Sequence, residues 1–120
     1  MTEQEQIELV SRVGGLFDYI YNPSELVQIA AVQQDAYLIR YINNSSEEVQ
    51  IAAVNKNPYV IYYINNSSEV VQLTAIEQVA TAIKCIKNPT ELVCLTAIRQ
   101  DPKSIRYIKN PTMEMKLLAN

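Results

Sequence analysis

The sequence contains no histidine and no tryptophan among its 120 residues. Histidine is the usual general base and metal ligand, and it commonly activates a catalytic serine or cysteine, so its absence argues against most hydrolytic and metal-dependent mechanisms. Only two glycines are present, and neither GxGxxG nor GxxxxGK[ST] occurs, so no phosphate-cradling loop is indicated. We therefore expect no enzymatic activity, no bound metal and no cofactor.

Cysteine and long apolar runs are also scarce. Cys85 and Cys94 form no CxxC pair, which disfavours a zinc site or disulfide framework and predicts two reduced, mostly buried thiols. No apolar run approaches membrane-spanning length, and the N-terminus lacks the basic and apolar regions of a secretory signal. These features predict a cytoplasmic protein without membrane association.

Acidic residues exceed basic ones, giving a net charge of −3 that does not favour a protein dedicated to binding phosphates. The balance changes along the chain. Residues 1–60 carry eight acidic and three basic side chains, a net −5, whereas residues 61–120 carry five and seven, a net +2. Any surface for an acidic partner is therefore expected in the C-terminal half.

What the sequence does contain is a repeat. Near-copies of residues 42–54 recur at a spacing of 22 residues, beginning at Ile20, Ile42, Ile64, Ile86 and Ile108. Self-similarity at a short fixed period is typical of stacked supersecondary units, each of which buries its apolar side against its neighbours. Such stacks are usually binding scaffolds.

The first part of each copy predicts an α-helix of about ten residues, which we call helix A. A hydroxyl residue, followed by an acid in all but the last copy, occupies the positions of an N-cap: Ser24, Ser46, Ser68, Thr90 and Thr112. A hydroxyl there accepts a hydrogen bond from an exposed amide, and an acid is favoured by the helix dipole. Apolar columns follow, including an alanine that indicates close approach of neighbouring helices: Ala31, Ala53, Ala75 and Ala97.

A second helix of about two turns, helix B, is predicted after each helix A, partly with 3₁₀ geometry. The pairs Asn57-Pro58 and Asp101-Pro102 are typical of an N-cap followed by proline at the first helical position. The predicted inward stripe consists of isoleucines at two columns: Ile39, Ile61, Ile83 and Ile105, with Ile42, Ile64, Ile86 and Ile108.

One asparagine follows helix B in every copy: Asn22, Asn44, Asn66, Asn88 and Asn110. Asparagine tolerates the left-handed conformation that ends helices, and its amide can bond to turn backbone. We predict that these residues form a structural ladder across the repeats. The segments 43–45 and 65–67 also match the glycosylation pattern, but the structural role needs no glycan.

These columns predict an all-α fold, a right-handed α-solenoid of short two-helix repeats with a period of 22 residues, forming a single domain over residues 1–120. Residues 2–23 are a degenerate copy expected to act as a polar cap. The full repeats are 24–45, 46–67, 68–89 and 90–111, followed by a half repeat at 112–120. Because this half repeat ends in apolar residues, a homodimer through the C-terminal end is a hypothesis.

The repeated unit, Asn-(Pro/Ser)-(Ser/Thr)-Glu-x-Val-x-(Leu/Ile)-x-Ala-(Val/Ile), resembles tandem helical repeats of bacterial and bacteriophage proteins, and it is similar to compact HEAT-like and leucine-rich-variant repeats. The resemblance covers residues 2–120. It implies an α-solenoid and supplies no catalytic residues. By analogy with small phage proteins of this kind, it implies a phage- or mobile-element-type inhibitor or adaptor that binds a bacterial host protein complex.

The outer face of helix B is the candidate binding surface, because its residues lie opposite the inward isoleucines. Tyrosine and arginine are enriched among the residues that anchor protein interfaces. The candidate partner-binding residues are Tyr37, Arg40, Tyr41, Tyr59, Tyr62, Tyr63, Lys84, Lys103 and Arg106. The outer face of helix A is instead predicted to be polar and acidic, and includes Gln28, Gln50 and Gln72.

Within this surface the strongest candidates are Tyr37, Tyr59 and Tyr62. A neighbouring column is expected to be semi-buried between repeats, because one of its positions is a cysteine: Tyr19, Tyr41, Tyr63, Cys85 and Tyr107. We expect the surface to bind another protein. The alternative is a nucleic-acid-contacting or nucleic-acid-mimicking protein, with tyrosines stacked on bases and cations on phosphates, which the negative net charge disfavours.

Overall fold

A computed structural model describes all 120 residues, and every regular element is a helix. Six α-helices alternate with five 3₁₀ helices, which we number η1 to η5. The elements in chain order are α1 (Glu3–Arg12), η1 (Gly14–Tyr19), α2 (Glu25–Gln34), η2 (Ala36–Tyr41), α3 (Glu47–Lys56), η3 (Pro58–Tyr63), α4 (Glu69–Gln78), η4 (Ala80–Cys85), α5 (Glu91–Gln100), η5 (Pro102–Tyr107) and α6 (Met113–Ala119). Each α-helix begins 22 residues after the preceding one.

The repeats stack into an elongated molecule of 56 × 21 × 17 Å with two layers. Consecutive α-helices pack on one another to form one layer, and η2, η3 and η4 each pack on the next 3₁₀ helix to form the other. Each repeat therefore contacts its neighbours along the chain, as expected for a solenoid. The predicted all-α solenoid with a 22-residue period is confirmed.

The α-helices begin at the predicted hydroxyl residues. In each case the hydroxyl oxygen accepts a hydrogen bond from the amide three residues later, as Ser46 does from Val49 at 3.3 Å. The degenerate first copy follows the same rule, because Thr2 caps α1 and the Glu5 carboxylate accepts from the Thr2 amide in a capping box. The side chain of the N-cap residue thus fixes where each α-helix begins.

Three of the five 3₁₀ helices begin at the predicted Asp or Asn positions, whereas η1 and η4 follow Val13 and Val79 and have no side-chain cap. The side chains of Asp35, Asn57 and Asp101 accept from the amide two residues later at 3.0–3.1 Å. The same residues end the α-helices, because their backbone is extended, with φ near −150°. One residue therefore serves as the C-cap of one helix and the N-cap of the next.

Helix B is 3₁₀ over all six of its residues, not only in part. A further position of helix B is buried together with the inward isoleucines. This position is buried in all four full repeats, where it is occupied by Leu38, Val60, Ala82 and Ser104. The predicted inward stripe was therefore correct but too narrow.

The core is one continuous cluster of 28 buried residues contributed by both layers. The valines and alanines of helix A are inaccessible to solvent in all four full repeats: Val27, Val49, Val71 and Val93, with Ala31, Ala53, Ala75 and Ala97. The small alanine lets consecutive helices approach closely, as its recurrence predicted. Cys94 is also buried and Cys85 is half-buried; both are free thiols, and burial raises the pKa of each.

The degenerate first copy offers a stabilising substitution. A Cβ atom at Gly15 would have no neighbour within 4 Å, and its φ is not positive. Gly15→Ala is therefore expected to increase the free energy of unfolding by about 0.4–1 kcal/mol, because it restricts the unfolded chain. Thermal unfolding by circular dichroism measures this.

Gly14→Ala is the matched comparison, since the two glycines are adjacent in η1. A Cβ atom at Gly14 would lie 2.1 Å from the Gln34 Oε1 atom, so the Gln34 side chain must move. We expect Gly14→Ala to give less stabilisation than Gly15→Ala. The reverse order of melting temperatures would contradict the described geometry of η1.

Candidate protein-binding surface

The nine residues proposed from the sequence are all exposed on the outer side of the 3₁₀ layer. They lie on η2 to η5, and the side-by-side packing of these helices brings them into one surface. We call this surface the tyrosine–cation face; it consists of Tyr37, Arg40, Tyr41, Tyr59, Tyr62, Tyr63, Lys84, Lys103 and Arg106. Its tyrosines are between 38% and 58% exposed, so each ring is partly packed and partly free.

The N-terminal part of the face is a cluster of aromatic rings. Tyr63 makes edge-to-face contacts with Tyr37 of the preceding repeat, at 6.0 Å between ring centroids, and with Tyr62 at 5.2 Å. The Arg40 guanidinium carbon lies 4.8 Å from the centroid of the Tyr41 ring. Such contacts hold the rings in place before any partner arrives.

The C-terminal part is organised around Lys84. Its ammonium lies 5.5 Å from the centroid of the Tyr59 ring and 6.0 Å from that of Tyr107, and Arg106 lies 5.7 Å from the Tyr107 centroid. The Tyr59 hydroxyl also hydrogen-bonds to the Thr81 hydroxyl of the next repeat at 2.9 Å. Cations and rings from three repeats are therefore linked into one surface.

The four cations of this face remain available to an anionic partner. Arg106 is the only one whose side chain donates a hydrogen bond, from Nε to the Lys103 carbonyl oxygen at 3.3 Å. The Tyr41 side chain beside Arg40 raises the pKa of that guanidinium above its ordinary value. None of the four is hydrogen-bonded to a carboxylate, and the face is electropositive.

The expectation that the neighbouring tyrosine column is semi-buried was wrong for Tyr19 and Tyr41, which are 84% and 55% exposed. Tyr63 and Tyr107 are 39% exposed, so their rings are partly packed. These residues are the last ones of their 3₁₀ helices. Only Cys85 of that column is half-buried.

The asparagine column lies at the surface beside the tyrosine–cation face, and we call it the asparagine edge: Asn22, Asn44, Asn66, Asn88 and Asn110. Four of its members have the predicted left-handed backbone, with φ between 48° and 54°, whereas Asn88 does not. All five side chains are exposed, and none takes part in a hydrogen bond. The column therefore forms turns but does not form the hydrogen-bonded ladder that we predicted.

The turns are instead held by a glutamine column that the sequence placed on the solvent face of helix A. The Nε2 atoms of Gln28, Gln50 and Gln72 each donate to the carbonyl oxygen five residues earlier, at 3.0 Å. Gln28 and Gln50 are half-buried, and Gln72 is buried, with no partner for its Oε1 atom. These glutamines act as structural clamps and are not part of an outer surface.

A second feature missed from the sequence links consecutive repeats. The cap hydroxyls of Ser24, Ser68 and Thr90 donate to the glutamate 21 residues earlier, at distances of 2.5–2.7 Å. The acceptors are Glu3, Glu47 and Glu69, which open the preceding α-helices. The recurring Ser-Glu and Thr-Glu pairs were a signal for this contact, although we interpreted them as caps alone.

The C-terminal end exposes apolar side chains. Met113 and Leu117 are 68% and 66% exposed, whereas Met115 is buried against the preceding repeat. Self-association through this end stays a prediction.

Histidine, cysteine, aspartate and glutamate nowhere form a group of three suited to a metal ion. No helix combines the length and the apolar character needed to cross a bilayer.

Compared with protein-family models, curated proteins and solved structures, the chain has no match among any of the three.

Proposed function

We propose that this protein is a non-enzymatic binding module that holds another protein through the tyrosine–cation face. The observation that carries the proposal is the arrangement of five tyrosines, each partly exposed and each held by a ring or cation contact, on one side of the solenoid. Tyrosine supplies a large contact area with few rotatable bonds, so little conformational entropy is lost on binding.

The charge of the face defines the complementary surface. Arg40, Lys84, Lys103 and Arg106 favour a partner surface that is acidic around an apolar centre. Opposite charges across an interface accelerate association and exclude partners of the same sign. The partner is therefore proposed to place apolar side chains on the tyrosines and carboxylates on the cations.

The resemblance to repeats of bacterial and bacteriophage proteins favours a bacterial host protein complex as the partner. Occupying a functional surface of that complex would make the module an inhibitor, whereas bridging it to another molecule would make it an adaptor. Both roles follow from a rigid binding face, and both are proposals that rest on analogy.

The test replaces Tyr37, Tyr59 and Tyr62 together with alanine. Loss of a single interface anchor costs about 2 kcal/mol or more, roughly a 30-fold change in affinity, so the triple variant should lose its partner. The immobilised protein is used to capture proteins from a bacterial lysate, and quantitative mass spectrometry compares the wild type with the variant. Far-ultraviolet circular dichroism should show unchanged helix content.

Tyr21→Ala is the matched control, because Tyr21 is 96% exposed and lies outside the face. A true partner is captured by the wild type and the Tyr21 variant but not by the triple variant. The proposal is overturned when every protein retained by the wild type is equally retained by the triple variant.

The exposed rings and cations also suit a single-stranded nucleic acid, which is the alternative function. In that case a labelled oligonucleotide would show a gel shift that weakens steeply with added salt. The acidic N-terminal half, with net charge −5 over residues 1–60, opposes such binding.

A further inference from the structure

The asparagine edge has unused hydrogen-bonding capacity. Its five carboxamides are exposed, and none of them has a partner within the protein. Each carboxamide offers two donors and an acceptor, which can pair with the C=O and N–H groups of a polypeptide main chain. The edge therefore presents a hydrogen-bond donor group and an acceptor once in every repeat.

A shallow furrow runs beside the edge at each junction between consecutive repeats. The four furrows have volumes of about 390, 480, 630 and 670 Å³ from the N-terminal to the C-terminal junction. Each is lined by the ends of 3₁₀ helices and by the asparagine turns. The furrows become larger toward the basic half of the chain.

The spacing of the edge matches an extended polypeptide. Packed helices lie about 8–10 Å apart, which sets the distance between equivalent atoms of consecutive repeats. An extended chain of the polyproline II type advances about 3.1 Å per residue with three residues per turn, so three residues cover one repeat and present the same side to it. A ligand with extended backbone would meet a new asparagine at every third residue.

The charges around the two larger furrows select acidic side chains. Lys84, Lys87 and Lys109 line them, and the last two directly precede Asn88 and Asn110. The opposing carboxylates are Glu69, which already accepts a hydrogen bond from the Thr90 hydroxyl at 2.6 Å, and Glu91. The two larger furrows are therefore lined by more positive than negative side chains.

We propose that the asparagine edge binds an acidic polypeptide segment in extended conformation, at three residues per repeat. The carboxamides of Asn66, Asn88 and Asn110 hold its main chain, and Lys84, Lys87 and Lys109 pair with its carboxylates. This inference rests on the proposed function, because it describes which part of a partner protein lies beside the tyrosine–cation face.

The probe is a fluorescein-labelled peptide of about twelve residues, (Glu-Thr-Ser)₄, which spans four repeats at three residues each. A second peptide has the same composition with its glutamates in one block. Fluorescence anisotropy should show the periodic peptide binding at least about 5-fold more tightly, since only its charges match the repeat. A labelled twelve-nucleotide oligothymidylate tests the nucleic-acid alternative in the same assay.

The decisive variant combines Asn66→Gly, Asn88→Ala and Asn110→Gly. Glycine removes the carboxamide while keeping the positive φ of Asn66 and Asn110. This variant should bind the periodic peptide at least about 10-fold more weakly, since it loses three main-chain contacts. Asn22→Gly, in the acidic half, is the matched control and should leave binding unchanged.

The proposal is overturned by equal affinity for both peptides, by wild-type affinity in the triple asparagine variant, or by tighter binding of the oligothymidylate. Absence of saturable binding up to about 1 mM peptide overturns it too. Its failure is separable from that of the proposed function. A partner lost by the tyrosine variant but kept by the asparagine variant supports the proposed function and refutes this inference. A partner kept by the tyrosine variant but lost by the asparagine variant supports this inference and refutes binding through the tyrosine–cation face.

Discussion

Replacing Ile61 with alanine is expected to lower the free energy of unfolding by about 2–5 kcal/mol, because the change removes buried methyl groups and leaves a cavity. Ile61 is 2% exposed and belongs to η3, in the central repeat. It lies among the isoleucines that seal the 3₁₀ layer against the α layer. Urea unfolding followed by circular dichroism measures the change.

The position of Ile61 in the middle of the array increases the consequence. In a solenoid each repeat is stabilised by its two neighbours, so a cavity in the central repeat weakens two interfaces. Domains are stable by only about 5–15 kcal/mol in total, and the loss is a large part of that margin. Unfolding of the variant should begin in the repeat that contains Ile61, residues 46–67, and not at the ends of the array.

Tyr62→Ala is the control, because Tyr62 is the next residue in η3 and is 58% exposed. Tyr62→Ala removes an exposed ring and its contact with Tyr63, so it should cost no more than about 0.5–1.5 kcal/mol, less than the loss at Ile61. Equal losses for the two variants would mean that η3 does not present these faces as described. The control also checks that the tyrosine variants used in binding assays remain folded.

The fold could be predicted in detail because its boundaries are local. Ser46 and Asn57 begin the two helices of the second full repeat through their own side chains, and the period of 22 residues brings the same rule back at every copy. What could not be predicted was the 3₁₀ geometry of all six residues in helix B. Over so short a segment, periods of 3.0 and 3.6 residues predict almost the same inward positions.

The surface was less predictable, since it depends on how one repeat sits on the next. Placing Tyr37 and Tyr62 outward required only the face of one helix, and both are exposed. The ring contact of Tyr37 with Tyr63 joins two repeats, and no pattern within a single repeat indicates it. For the same reason the carboxamides of the asparagine edge were expected to bond to neighbouring turns, whereas the structure leaves them free.

Ser68→Ala is expected to destabilise the protein by about 1–2 kcal/mol, toward the upper end of N-cap substitutions. The Ser68 hydroxyl accepts from the Val71 amide at 3.3 Å and donates to Glu47 Oε2 at 2.7 Å, so the substitution removes two hydrogen bonds. Ser46 caps its own helix equally well but donates to no carboxylate. We therefore expect Ser46→Ala to cost less, with both free energies measured by urea unfolding.

A double-mutant cycle separates the cap from the link between repeats. Combining Ser68→Ala with Glu47→Gln should give a coupling energy of a few tenths to about 1 kcal/mol, since the pair is close and charge-assisted but exposed. The equivalent cycle of Ser46→Ala with Glu25→Gln should give none, because those side chains form no hydrogen bond. Equal coupling in the two cycles would mean that the junctions do not differ in solution. Unequal coupling would show that the repeated Ser-Glu pair does not stabilise every junction equally. The junction between repeats 24–45 and 46–67 would then lack the hydrogen bond that links repeats 46–67 and 68–89.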